Sequence, residues 1–123
     1  MIDRPLIYVA GPYRKPDPVK NTNRAIRTGH QLRALGADVR IPHLSLLEDM
    51  VAPLDDQEWL AITLRDCERC DAIFRLDGYS EGTEIEVATM LGMGRKLLLT
   101  MAESADWIRQ WKERHERGLG TVV

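Results

Sequence analysis

Apolar and polar positions along the chain follow two periods in alternation. Pro5-Leu6-Ile7-Tyr8-Val9-Ala10 is an unbroken apolar run that stops at Gly11-Pro12, the pattern of a strand buried on both faces in a parallel sheet. After a proline-rich loop to Pro18, the stretch from Val19 to Leu35 sets Ala25, Ile26, Gly29, Leu32 and Leu35 at helical spacing, and Gly36 closes it. Ala37 to Ile41 then alternates as a short strand that ends at Pro42-His43 and leads into a loop. From about Asp56 to Cys70, Trp59, Leu60, Ile62, Thr63 and Cys67 lie along a helical face, with Asp55 or Asp56 as the N-cap.

Asp71 to Leu76 reads as a third strand, Asp77 to Gly82 as turn chemistry, Thr83 to Met93 as a helix and Lys96 to Thr100 as a fourth strand. The last helix is predicted from Ser104 to Arg117, ended by Gly118, with Thr121 to Val123 as a very short fifth strand. Strands that alternate with helices through short loops form parallel βαβ units, whose right-handed crossovers place helices on both faces of the sheet. The expected fold is a single doubly wound α/β domain over residues 1–123, flavodoxin-like or Rossmann-like. Its sheet would have four to five parallel strands in the order 2-1-3-4(-5).

Composition narrows the functions open to such a domain. A chain of 123 residues is one ordinary domain, and 44% hydrophobic against 29% charged residues suits a compact core. Seventeen basic and nineteen acidic residues, with no long basic run, argue against binding duplex nucleic acid and favour a small-molecule partner. The first ten residues lack the pattern of a signal peptide, and no apolar run approaches the ~20 residues of a membrane span. No membrane association is expected, and the cytoplasm is the expected compartment. Cys67 and Cys70 form a Cys-x-x-Cys, but a zinc site needs two more ligands and only His30, His43 and His115 are at hand. The two thiols also end a helix instead of opening one, which removes the dipole that activates redox pairs. Neither a metal nor another cofactor is expected.

In a sheet of this order, ligands bind beyond the carboxyl ends of the first and third strands, where the chain reverses direction. Two loops meet there: Gly11-Pro12-Tyr13-Arg14, and Gly78-Tyr79-Ser80-Glu81-Gly82-Thr83. The second enters a helix, so its free backbone N–H groups and the Ser80 hydroxyl suit an anion such as phosphate. Neither loop is a P-loop or a dinucleotide-binding G-x-G-x-x-G, which argues against ATPase and dehydrogenase chemistry. The first strand ends in Ala10-Gly11-Pro12 and lacks the acidic cluster of a phospho-acceptor receiver domain.

Ile7 to Arg14, together with Ser80-Glu81-Gly82-Thr83-Glu84-Ile85-Glu86-Val87-Ala88 and the continuation Gly92-Met93-Gly94-Arg95-Lys96, resembles the nucleoside 2-deoxyribosyltransferase family. The closer likeness is to its nucleotide branch, the nucleoside 5′-monophosphate N-glycosidases, which include cytidylate hydrolases. The resemblance implies that Glu86 attacks the anomeric carbon. A carboxylate suits that role because it stabilises an oxocarbenium-like transition state and then forms a glycosyl-enzyme ester. Glu84 competes for it, but two residues along a helix the side chains diverge by about 200°. Local sequence offers Glu86 another role, since Thr83-Glu84-Ile85-Glu86 reads as a capping box.

The resemblance further implies that Tyr8 orients the nucleophile and that Ser80 and Gly82, beside Thr83, hold the 5′-phosphate. It implies too that Arg14 reaches phosphate or base. The Tyr13 ring is expected to stack on the base, as aromatic faces do, and Gly11, Pro12 and His43 to border the pocket from their places beyond the first and second strands. Where the family usually carries an aspartate on the second helix this chain has Thr63, and Asp66, one turn later, is the nearest acid and the candidate substitute. Family members complete their sites across a subunit interface, so a homodimer or higher homo-oligomer is expected, with Ser104 as a phosphate ligand of the neighbouring site. The expected activity is cleavage or transfer of the N-glycosidic bond of a nucleoside or nucleotide, preferentially a (deoxy)nucleoside 5′-monophosphate. The alternative is a nucleotide-binding sensor that keeps the pocket without turnover.

Overall fold

A computed structural model of the chain describes residues 3–116. Four strands, β1 (Leu6–Ala10), β2 (Asp38–Arg40), β3 (Ala72–Arg75) and β4 (Lys96–Leu98), form one parallel sheet in the order β2-β1-β3-β4. Tyr8 lies opposite Arg40 on one side and Ile73 on the other, which sets β1 at the centre. The unbroken apolar run of β1 follows from that position, because Ile7, Tyr8, Val9 and Ala10 are all fully buried.

The pleat divides β1 between two cores. Ile7 and Val9 pack with Ala25 and Leu32 of α1 (Pro18–Ala34) and Ile108 of α5 (Met101–Glu116). Tyr8 and Ala10 face the other way, toward Cys67 of α3 (Asp56–Glu68) and Val87 and Met90 of α4 (Glu81–Gly92). The fold is therefore the expected open α/β sheet with helices on both faces. The anticipated strand at 121–123 and the end of the last helix at 117 lie outside the described residues.

Side-chain caps set where several helices begin. Asp17 accepts from the backbone N–H groups of Val19 and Lys20, with Pro18 in the first turn of α1. Asp55 accepts from Glu58 N–H at 2.8 Å and starts α3. Two helices begin earlier than their apolar spacing predicts. Ser80 caps α4, so that helix starts at Glu81, and Thr100 accepts from Glu103 N–H at 3.1 Å and brings the start of α5 back to Met101.

The stretch after β2, expected as loop, is a 3-10 turn (Pro42–Ser45) followed by α2 (Leu46–Val51). No residue of α2 is buried, so the packing stripe by which a helix is recognised in a sequence is missing.

Candidate functional site

A cleft of about 720 Å³ opens beyond the carboxyl ends of β1 and β3, where the sheet changes direction. Gly11 lets the chain turn out of β1 there. A Cβ on Gly11 would stand 2.8 Å from both Cβ and Cδ1 of Leu76, so the close passage of the two segments requires glycine.

Glu86 lies on the floor of the cleft and is only 7% exposed. The buried Tyr8 hydroxyl donates to Glu86 Oε2 at 2.6 Å. Burial raises the Glu86 pKa, while the hydrogen bond from Tyr8, with the nearby Thr63 hydroxyl, opposes the rise by favouring the carboxylate. The Tyr8 pKa is raised well above that of an ordinary tyrosine, first by burial and then by the Glu86 charge, which keeps the hydroxyl a donor. Because α4 starts at Glu81 and is capped by Ser80, Glu86 lies in the second turn, and the capping box over Thr83 to Glu86 does not form. Glu84 points elsewhere and pairs with Arg75 at the end of β3.

The N-terminus of α4 forms one wall. Ser80 Oγ accepts from Thr83 N–H at 3.4 Å, and Gly82 beside it leaves open space, the nearest atom to an added Cβ being Ser80 Oγ at 3.8 Å. Thr83 is 1% exposed, and its buried hydroxyl has no partner among the described residues. Unfilled backbone donors and an unpartnered hydroxyl at the positive end of a helix dipole favour an oxyanion.

The opposite wall comes from α3 and the loop after β1. Trp59, Leu60 and Thr63, expected as part of a packing face, line the cleft, and only Cys67 of that face is fully buried. Thr63 lies against the Tyr8–Glu86 pair and also donates to the Leu60 carbonyl at 3.1 Å. Asp66 is not in the cleft and pairs instead with Arg69 at 3.3 Å. The side chain presented to Glu86 is thus Thr63, one turn before the acid chosen from the sequence. Its spacing of four from Trp59 was the available signal.

Arg14 reaches across the mouth to α2 and α3. Its Nε–H donates to Asp56 at 2.7 Å and its Nη1–H to Asp49 at 3.2 Å, while Trp59 Nε1–H donates to the other Asp49 oxygen at 2.8 Å. The guanidinium also stands 5.6 Å from the centre of the Tyr13 ring. Sequence reasoning found Arg14 and missed both acidic partners, because Asp49 lies on a helix without a packing stripe. His43 borders the cleft as expected but is 2% exposed, and its Nε2–H donates to the Pro12 carbonyl at 3.0 Å. It fastens the loop after β1 to the turn after β2.

Ser104 stands apart from these residues. It is fully buried in α5 and donates to the Thr100 carbonyl at 2.8 Å, so it is not presented to a neighbouring subunit. Cys67 and Cys70 are buried free thiols, and burial raises both pKa values, that of Cys70 to about 12. Among the described residues no three His, Cys, Asp or Glu side chains come together as a metal site, and no helix is long and apolar enough to cross a membrane.

The sheet order defines an open α/β protein with a cleft at its switch point. Residues 5–99 match the family described as Domain of unknown function (DUF4406), and the chain belongs to that family. No curated protein matches the sequence.

Proposed function

We propose that the protein cleaves the N-glycosidic bond of a (deoxy)nucleoside 5′-monophosphate with Glu86 as the nucleophile, passing the glycosyl group to water or to a second base. The observation that carries this reading is the 2.6 Å bond from Tyr8 to Glu86 on the floor of a cleft whose wall is the N-terminus of α4. The cleft volume of about 720 Å³ suits a ligand of nucleotide size. The resemblance of the two switch-point loops to nucleoside 2-deoxyribosyltransferases supports the same chemistry.

In this reading the 5′-phosphate rests on Ser80, Gly82 and Thr83, and the sugar carbon C1′ faces Glu86 one turn further along α4. The Glu86 carboxylate attacks C1′ as the bond to the base nitrogen breaks, giving a glycosyl ester that the acceptor then opens. Tyr8 holds the carboxylate in one rotamer and cannot itself act as a base, since its pKa is raised well above neutrality.

Incubation of the purified protein with a panel of nucleoside 5′-monophosphates, followed by chromatography of the released bases, tests the proposal. Base release by the wild type and none by Glu86→Gln is the expected result. Tight binding without release from any member identifies a nucleotide sensor instead.

A further inference from the structure

Among the described residues, the Tyr13 and Thr83 hydroxyls lining the cleft are buried without a partner, Thr83 at the end of α4 assigned to phosphate, and the other donors near Glu86 are committed. Tyr8 donates to Glu86, Thr63 to the Leu60 carbonyl, and His43 Nε2–H to the Pro12 carbonyl. Burial lowers the His43 pKa, so the ring is neutral, and raises the Tyr13 pKa, so its hydroxyl is a poor acid or base.

Besides Glu86, the carboxyl groups of the cleft are Asp56 and Glu81. Asp56 accepts from Arg14, and Glu81 opens α4 at the end assigned to phosphate. With phosphate there and C1′ at Glu86, the base faces Trp59, Leu60 and Thr63, a wall whose one carboxylate, Asp56, is ion-paired with Arg14. Glu86 cannot both attack as a carboxylate and supply the proton.

Resting on the N-glycosidase reading above, we propose that the base departs as its ring-nitrogen anion. The preferred substrates are then monophosphates of bases that spread that charge onto two ring carbonyls, the uracil type, over the amino-bearing cytosine type. As the Glu86–C1′ bond forms, the electron pair of the C1′–N bond goes to the base, and the released anion takes a proton from water. Water then attacks C1′, the ester bond returns its electrons to Glu86, and the proton of the attacking water goes to solvent.

A positioned general acid contributes about 10²–10⁴-fold to a reaction of this kind. Without one, the acidity of the base itself has to supply the difference.

The test is kcat/KM for uridine and 2′-deoxyuridine 5′-monophosphates bearing methyl, hydrogen, fluorine or nitro at C5, with the cytidine pair beside them. These bases differ in acidity while keeping similar shape, and kcat/KM reports the bond-breaking step even where ester hydrolysis limits turnover. The expected result is a rise in the order of base acidity, spanning about 100-fold from methyl to nitro, with cytosine released more slowly than uracil. A series flat within about threefold, or cytosine released faster, overturns the inference and leaves the N-glycosidase standing. No release from this series while a purine monophosphate is cleaved overturns the inference alone, and no release from any nucleoside monophosphate overturns both.

Discussion

Arg75, the last residue of β3, holds Glu84 in an ion pair on the outside of α4, while Glu86 two residues on is turned to the Tyr8 hydroxyl beneath the cleft. Two acids of one helix turn are thereby given different roles. The Glu84 side chain is 47% exposed, and a pair so open to water contributes at most about 1 kcal/mol. Glu84→Gln is expected to keep base release within about threefold of wild type, whereas Glu86→Gln loses about 10³-fold or more. Trapping with a 2-fluoro sugar analogue and mapping the modified peptide checks the assignment, since a label on Glu84 contradicts it.

Tyr8→Phe removes the 2.6 Å donor to Glu86. The loss of a buried hydrogen bond to a carboxylate is expected to cost about 1–3 kcal/mol in a urea titration. The Tyr8 bond lowers the Glu86 pKa against the rise caused by burial, so its removal raises that pKa further. Since the attacking form is the carboxylate, the acid limb of the kcat/KM profile moves to higher pH in Tyr8→Phe. A limb that stays in place contradicts the assigned role.

The same group makes folding depend on pH. Burial raises the folded-state pKa of Glu86 above its unfolded value, so the protonated form adds stability that is complete below the ordinary carboxylate range. That contribution is lost as pH rises through the raised value. Urea titrations from about pH 4 to pH 8 are expected to show a shallower fall in stability for Glu86→Gln than for the wild type. Parallel curves contradict this.

Gly82→Ala separates folding from binding. The added methyl meets nothing closer than Ser80 Oγ at 3.8 Å, and an alanine in a helix is favoured over glycine by up to about 1 kcal/mol. The melting temperature is expected to hold or rise. If a phosphate occupies the space, KM for a monophosphate increases roughly tenfold, equivalent to about 1.4 kcal/mol of binding. Calorimetry and kinetics on one preparation read both, and an unchanged KM argues against phosphate at this wall.

Gly11→Ala has the opposite character. Its Cβ would overlap Leu76 Cβ, an atom with little freedom to move, and such overpacking costs about 1–3 kcal/mol. A urea midpoint equal to that of the wild type contradicts the close passage described here.

The elements that carry the sheet are legible in the sequence because burial leaves a pattern. The apolar run of β1 marks the central strand, and Ala25 and Leu32 mark the helix face that packs on it. Tyr8 and Glu86 were legible from their motifs, though their contact spans 78 positions and belongs to the fold. What could not be read was set by caps and by exposed polar contacts. Ser80 as the cap moves Glu86 out of the first turn, and Asp49, the partner of Arg14 and Trp59, lies on a helix with no buried residue. Asp66 was preferred to Thr63 for its charge, whereas the direction each faces from α3 decides which reaches the cleft.

The clasp from Arg14 to Asp56 lies in water, with the two side chains 44% and 81% exposed, whereas Tyr8 and Glu86 are buried. Dissolved ions weaken exposed charge pairs over distances of about 8 Å at physiological strength and scarcely touch buried ones. Raising the salt concentration therefore loosens the doorway without altering the hearth, and the ease of entry and the rate of chemistry become two separately adjustable properties of one small chain.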